Sequence, residues 1–207
     1  SSSSVYGNST DLPYSESSPV SVCKSPYAAS KLAMEIFAKT YNDLYNLTCV
    51  GFRFFTVYGP RGRPDMAPYK FLHAIHHGHT IQRFGNGTSS RDYTYVGDIV
   101  DGLIRARVLP PGTCEVFNLG QSHPVTLLEF ISICERVVGK KAVVCEIENQ
   151  PGDVNHTFAN TEKAHNHFGF ESHVTLEEGL TRMYASYRSK WGEATASNHN
   201  QSRMLFR

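Results

Sequence analysis

The order of the first three segments constrains the fold most strongly. Residues 1–7 end a strand-like segment, and from Pro26 to about Asn46 apolar side chains follow helical spacing, with Ser25 as the N-cap. The β-branched and aromatic run Leu47–Gly59 then indicates a strand. Strand, helix and strand in this order predict a parallel α/β unit with a right-handed crossover.

The second half of the chain continues the alternation of helices and strands. Capping boxes, Thr126 with Glu129 and a Thr near 175 with Glu178, indicate where two helices begin. The predicted elements are a helix near Tyr69–His77, a strand Thr80–Phe84, a strand running into a helix over 91–108, a strand Cys114–Gly120, a helix from 126 to about 139 and a helix from about 175.

Composition and charge exclude several classes of function. The net charge of +1 does not indicate a nucleic-acid partner, and no apolar run approaches the length of about 20 residues that spans a bilayer. The five cysteines form no CxxC pair and the ten histidines have no defensible ligand spacing, so we expect reduced thiols and no metal. These features predict a cytoplasmic protein, although a membrane anchor ahead of residue 1 stays open.

Tyr27 and Lys31, in the stretch SPYAASK, are four residues apart on the first predicted helix. This spacing brings an ammonium group close to a phenol on one helix face. The alternative, for these residues taken alone, is a helix with a half-buried tyrosine and an exposed lysine that have no chemical role.

Five ordered motifs extend this pair. They are SSSSVYG, Y-x-x-x-K, FRFFTVYGPRGRPDMA, FGNG followed by SRDYTYVGDIVDG, and VFNLG followed by QPGDV. Together they resemble the extended short-chain dehydrogenase/reductase family, and within it the group of UDP-glucuronate 4-epimerases. The resemblance implies the C-terminal part of a doubly wound parallel (Rossmann-type) sheet, a small substrate-binding α/β lobe, and NAD as cofactor.

The resemblance implies roles for four residues at the reacting carbon. Tyr27 would take the proton of the sugar 4-hydroxyl, and Lys31 would favour the phenolate and bond the nicotinamide ribose. Ser2 would hydrogen-bond the reacting oxygen. Phe54 would pack against the nicotinamide, or it is simply an aromatic residue of the core.

The resemblance also implies a site for the sugar carboxylate. Arg63 matches the carboxylate ligand of the family, a role suited to the planar guanidinium, although a plain loop arginine is the alternative. Thr56, Ser3 and Ser4 would add hydrogen bonds. Ser3 and Ser4 stand where the related dehydratases and decarboxylases carry acidic residues, so the resemblance favours epimerisation.

The nucleotide site implied by the resemblance is spread along the chain. Arg91 would bind the diphosphate, whereas Gln150 departs from the arginine of many sister enzymes. Asp153 is either a uridine-side residue or a turn aspartate. The residues expected around the uridine are Met66, Ala67, Gln82 and Phe84.

The family's Gly-rich cofactor motif is absent from this sequence, so we expect a fragment of a longer protein. Residues 1–191 are predicted to be a truncated epimerase/dehydratase domain, with 1–60 in the Rossmann core and 61–191 mixing core strands with the sugar-nucleotide lobe. Residues 192–207 are predicted to be a disordered tail. The complete protein would be a homodimer that binds a UDP-sugar. The alternatives are a 4-epimerase of neutral UDP-hexoses and an inactive remnant that only binds sugar nucleotides.

Overall fold

The computed structural model describes residues 1–20, 23–148 and 156–191. The helices are α1 (Pro26–Tyr45), α2 (Ala67–His77), α3 (Val96–Arg105), α4 (Leu127–Val138), α5 (Glu162–Phe168) and α6 (Leu176–Trp191). The strands are β1 (Cys49–Phe54), β2 (Thr56–Tyr58), β3 (Thr80–Phe84), β4 (Ser90–Tyr95), β5 (Cys114–Leu119), β6 (Pro124–Thr126) and β7 (Val143–Ile147). Short 3-10 segments cover Ser3–Tyr6 and Ala106–Val108.

Helix α1 begins and ends where local chemistry dictates. The Ser25 hydroxyl accepts the Ala28 N–H at 3.1 Å, and Pro26 occupies the first turn. The helix ends at Asn46, which has φ 52 and donates its N–H to the Asn42 carbonyl at 2.7 Å. The predicted helix over 26–46 is therefore confirmed.

Strands β1 and β5 form the parallel pair that carries the first site residues. They run in register from Cys49 beside Cys114 to Phe54 beside Leu119. Phe52 and Phe54 share one face with Phe117 and Leu119, in a cluster closed by α3 and α5. Arg53 lies on the opposite face and bonds α1, so helices cover both faces of this pair.

A second group of elements forms the lobe that follows. Strand β2 pairs with β4 in parallel and β4 pairs with β6 antiparallel, while β3 pairs in parallel with β7. Helices α2, α4 and α6 close a core around these strands. Its most buried members are Leu72, Ile75, Phe130, Cys134 and Leu180.

The structure corrects two predictions about secondary structure and adds three elements to those predicted. The predicted strand Leu47–Gly59 is divided into β1 and β2, because Phe55 leaves the ladder and packs against Tyr6 and Tyr14. Residues 1–7 contribute a single bridge from Ser2 followed by a 3-10 turn, which Gly7 closes with φ 61. Strands β6 and β7 and helix α5 had not been predicted.

The proposed domain boundaries stay predictions, and the predicted tail 192–207 lies outside the described residues. Among the residues described, no helix is long and apolar enough to cross a membrane.

Candidate active site

Helix α1 brings Tyr27 and Lys31 together as their spacing predicts. The Lys31 Nζ lies 5.4 Å from the centroid of the Tyr27 ring. Tyr27 is 55% exposed, and within the described part of the chain its hydroxyl makes no hydrogen bond. The pair therefore offers a free phenol and a nearby cation to a ligand.

Ser2 is fixed at the carboxyl end of β1. It is 8% exposed and forms a parallel bridge with Phe54. Its hydroxyl accepts the Ser4 N–H at 3.2 Å and donates to the Ser4 Oγ at 3.1 Å. The serine run thus turns sharply at the edge of the sheet, and Ser3 begins the 3-10 segment there.

Phe54 is half-buried beside Ser2. Its ring stacks on Phe52 with centroids 6.2 Å apart, and it packs against the cluster between the sheet and α3. This packing supports the core alternative for Phe54, while its place beside Ser2 keeps it at the edge of the candidate site.

A buried polar network underlies this edge, and the sequence analysis missed it. Arg53 on β1 makes a bidentate ion pair with Glu35 on α1, at 3.0 Å from Nε and 2.8 Å from Nη2. Burial opposes ionisation of Glu35, but its bonds to Arg53 and Ser1 bring its pKa below the ordinary value. Burial likewise disfavours charged Arg53, yet its bonds to Glu35 and Tyr6 raise its pKa.

The loop after β2 carries Arg63. Its side chain is 75% exposed and pairs with Asp65, with the closest nitrogen–oxygen distance at 2.5 Å. The hydrogen bond to Asp65 and its charge raise the pKa of Arg63, and the Tyr27 phenolate adds a smaller contribution. Arg63 is thus paired with its own neighbour in the loop.

The remaining predicted substrate residues lie on several elements. Thr56 is half-buried on β2, beside Tyr93 of β4. Met66 precedes the first residue of α2, Ala67. Asp153, like Gln150 and the rest of QPGDV, lies outside the described residues.

Gln82, Phe84 and Arg91 belong to the second lobe. Gln82 is exposed and Phe84 half-buried on β3, which lies in a different sheet from β1. Arg91 follows on β4, where its Nη1 donates to the Ser90 carbonyl at 3.1 Å. The structure therefore joins Tyr27 with Lys31 and Ser2 with Phe54, whereas β3, which carries Gln82 and Phe84, lies in a different sheet from both β1 and β4.

Asp92, next to Arg91, is a second buried group that sequence reasoning missed. It is 0% exposed and accepts the N–H groups of Gln121 at 2.8 Å, Ser122 at 3.0 Å and Ala159 at 3.0 Å. Burial raises the pKa of Asp92, and these hydrogen bonds oppose that change. Asp92 thereby holds two loops beside the strand that carries Arg91.

The histidines of α2 bond tyrosines of α6. His73 Nδ1 and His77 Nε2 both lie 2.9 Å from the Tyr187 hydroxyl, and His76 Nδ1 lies 2.8 Å from that of Tyr184. These contacts join α2 to α6 across more than 100 residues of the chain. In the part of the chain that the structure describes, no group of three or more His, Cys, Asp or Glu side chains could hold a metal ion.

Comparisons with known proteins identify the family of this chain. The NAD dependent epimerase/dehydratase family matches residues 1–120. An uncharacterised protein of Methanocaldococcus jannaschii is 44% identical over 88% of this chain and 56% of its own length. A probable UDP-glucuronate 4-epimerase of Rhizobium meliloti is 37% identical over 94% of this chain and 62% of its own.

A solved structure shows the same fold. The UDP-glucuronic acid 4-epimerase of Bacillus cereus, in complex with UDP-glucuronic acid and NAD, superposes with a TM-score of 0.85 and 33% identity, covering 91% of this chain and 60% of that one. The predicted Rossmann-type α/β fold is thereby confirmed. The chain spans about three fifths of the length of the relatives it matches.

Proposed function

Because the chain belongs to the NAD dependent epimerase/dehydratase family, we propose that its protein inverts C4 of UDP-glucuronate and so forms UDP-galacturonate. The observation that carries the proposal is the pair of Tyr27 and Lys31 on α1, with a free, exposed phenol and an ammonium group 5.4 Å from its ring. The neutral serine run at the end of β1 supports epimerisation over dehydration, since it supplies no additional acid or base.

The residues at this edge fit a nicotinamide cofactor. Lys31 would bond the ribose hydroxyls, and the half-buried ring of Phe54 would flank the nicotinamide. NAD, when bound, supplies a reversible hydride acceptor for C4. Beside the nicotinamide, the free phenol of Tyr27 would be the group that accepts the proton of the sugar hydroxyl.

The protein's own residues then carry the proton chemistry. Tyr27 takes the proton of the sugar 4-hydroxyl as C4 is oxidised, and it returns a proton when C4 is reduced from the opposite face. The Lys31 ammonium favours the phenolate during the first step. The Ser2 hydroxyl would turn its proton from the Ser4 Oγ to the oxygen on C4 and so hold that oxygen near Tyr27.

The sugar carboxylate needs a binding site of its own, because a 4-keto glucuronate is a β-keto acid that loses CO2 readily. Arg63 binds this carboxylate, and Thr56, Ser3 and Ser4 donate hydrogen bonds to it. Arg63 must exchange Asp65 for the substrate, and their ion pair is exposed enough to make this exchange inexpensive. Met66, Ala67, Gln82, Phe84 and Asp153 would surround the uridine, and Arg91 would bind the diphosphate.

One observation favours a second candidate, the 4-epimerisation of neutral UDP-hexoses. Arg63 is already paired with Asp65, so a substrate without a carboxylate would leave that ion pair intact. In this alternative Tyr27, Lys31 and Ser2 keep the same roles.

A substrate panel separates the two candidates. Protein from the complete reading frame is given UDP-glucuronate, UDP-glucose and UDP-galactose, and the products are separated by anion-exchange chromatography. Arg63→Ala should lower kcat/KM for UDP-glucuronate by about 100-fold, the scale of a lost charge-assisted contact, while Arg61→Ala in the same loop changes it little. Equal activity of Arg63→Ala and wild type on UDP-glucuronate refutes the carboxylate role, and activity on neutral sugars alone selects the second candidate.

A further inference from the structure

Glu35 is a buried charged residue to which the proposed chemistry assigns no role. Its ion pair with Arg53 leaves the side chains of Arg53 and Glu35 only 5% and 10% exposed. In every other ion pair among the described residues, at least one partner is 45% exposed or more. A buried pair of this kind is costly to form, so it is a candidate for a positioning role.

The carboxylate of Glu35 joins three segments of the candidate site. It lies on α1, one turn after Lys31 and two turns after Tyr27. It accepts hydrogen bonds from the hydroxyl of Ser1, which precedes Ser2, and from the guanidinium of Arg53, which precedes Phe54. One side chain therefore links the helix of the base to the serine run and to the end of β1.

The network continues into the sheet beyond Arg53. Arg53 Nη1 donates to the Tyr6 hydroxyl at 3.0 Å, and that hydroxyl donates to Asn118 Oδ1 at 2.7 Å. The Arg53 guanidinium also lies 4.8 Å from the centroid of the Tyr6 ring. Arg53 belongs to β1 and Asn118 to β5, so the Glu35–Arg53 clamp that holds α1 is anchored to both strands of the pair.

Few apolar side chains of α1 are fully buried, although half-buried Leu32 packs against the cluster around Tyr6. Among the described residues of the helix, Ala28 is the one that is buried, at 1% exposure, whereas Ile36 and Phe37 are 61% and 64% exposed. Helices are usually oriented by an apolar face packed on the core. Apart from the Asn42 Nδ2 bond to the Gly112 carbonyl at 2.8 Å, near the C-terminal end of α1, the bidentate ion pair and the Ser1 bond supply its directional contacts.

From these contacts we infer that Glu35 is a positioning residue, which sets the rotation and tilt of α1 so that Tyr27 and Lys31 meet the 4-hydroxyl held by Ser2. This inference rests on the proposed function. Tyr27 lies about 12 Å along the helix axis from Glu35, so a tilt of about 5° at the clamp displaces Tyr27 by about 1 Å. A displacement of that size in a reacting group can lower the rate by about 100-fold.

A double variant separates positioning from stability. Glu35→Gln leaves the Arg53 charge buried without its partner, so a loss of activity could reflect unfolding alone. Glu35→Met with Arg53→Met removes both charges, and this exchange should restore thermal stability to near the wild-type value. Asp43→Asn, which breaks the exposed Lys39–Asp43 pair on the same helix, is the matched control.

In protein from the complete reading frame, positioning predicts a kcat for UDP-glucuronate about 10- to 100-fold lower in both Glu35 variants, with KM within about 3-fold of wild type. Asp43→Asn should keep the wild-type kcat. Recovery of kcat together with stability in the double variant overturns the inference, as does a wild-type kcat in Glu35→Gln.

A second readout does not need activity. The NMR signal of the 13C-labelled methyl group of buried Ala28 should shift in the double variant, because removal of the ion pair releases α1. The same signal should stay unchanged in Asp43→Asn. If the wild type turns over no UDP-sugar, the proposed function fails, and the Ala28 signal still decides whether Glu35 holds the helix. An unchanged Ala28 signal in the double variant overturns the positioning role.

Discussion

Gly179 on α6 allows a test in which two physical effects have opposite signs. A Cβ at this position would lie 2.2 Å from the Tyr58 hydroxyl oxygen and 2.7 Å from its Cζ. Tyr58 is 3% exposed, and its ring meets those of Tyr93 and Tyr95 with centroids 6.4 and 6.0 Å apart. The ring therefore has little room to move away from an added methyl group.

The expected effect of Gly179→Ala follows from comparing the two contributions. Alanine favours a helix over glycine by about 1 kcal/mol. Overpacking a fixed neighbour costs about 1–3 kcal/mol, and a contact more than 1 Å inside van der Waals distance belongs at the upper end of that range. The substitution should also weaken the Tyr58 hydroxyl bonds to the carbonyls of Thr175 and Leu176, at 3.3 and 3.4 Å. We expect a net loss of about 1–2 kcal/mol in the free energy of unfolding.

Urea unfolding followed by circular dichroism measures this loss. Tyr58→Phe removes the atom nearest the new methyl group, so the double variant should lose about 0.5–1 kcal/mol less than the sum of the single variants. Ser189→Ala, exposed on the same helix, should stabilise by about 0.5 kcal/mol through helix propensity alone. If Gly179→Ala instead stabilises the protein as Ser189→Ala does, the close packing of α6 on Tyr58 is wrong.

Three further perturbations test other contacts. Burial, followed by the charges of the neighbouring histidines, lowers the pKa of His73 to about 4. As the pH falls below the ordinary histidine pKa, the unfolded chain therefore binds a proton before the folded chain does. The free energy of unfolding, measured in urea titrations, should fall by about 1 kcal/mol between pH 7 and pH 5, a value discounted for the partly exposed ring, and it should fall less in His73→Gln. Asp92→Asn sets an amide against three backbone N–H donors and should cost about 2–3 kcal/mol in the same assay, whereas a loss below about 0.5 kcal/mol contradicts its role as their acceptor. Phe130→Ala removes a fully buried ring stacked 4.6 Å from Tyr93 and should cost about 3–5 kcal/mol, against less than about 1 kcal/mol for exposed Leu128→Ala.

Elements with strong local signals were predictable from the sequence. Helix α1 begins at the predicted Ser25 cap, and α4 begins after Thr126, whose hydroxyl accepts the Glu129 N–H at 3.2 Å. Strand β7 was not predictable, because Val143 and Val144 are exposed and the strand exists only through pairing with β3, more than 60 residues earlier.

The same distinction holds for the candidate site. Tyr27 and Lys31 are neighbours through helix periodicity alone, so their spacing was sufficient. The bonds of Glu35 to Ser1 and Arg53 join segments 34 and 18 residues apart, and no local pattern marks such pairs. Asp92 was missed for the same reason, since its three partners follow it by 29 to 67 residues.

The fate of the hydrogen on C4 tests the proposed chemistry most directly. Protein from the complete reading frame is incubated with UDP-glucuronate deuterated at C4, and the products are read by proton NMR and mass spectrometry. The account predicts UDP-galacturonate that retains deuterium at C4, with turnover at least about 100-fold slower in Tyr27→Phe. A product that has lost the deuterium to water, a UDP-pentose formed with loss of CO2, or undiminished turnover in Tyr27→Phe would contradict it.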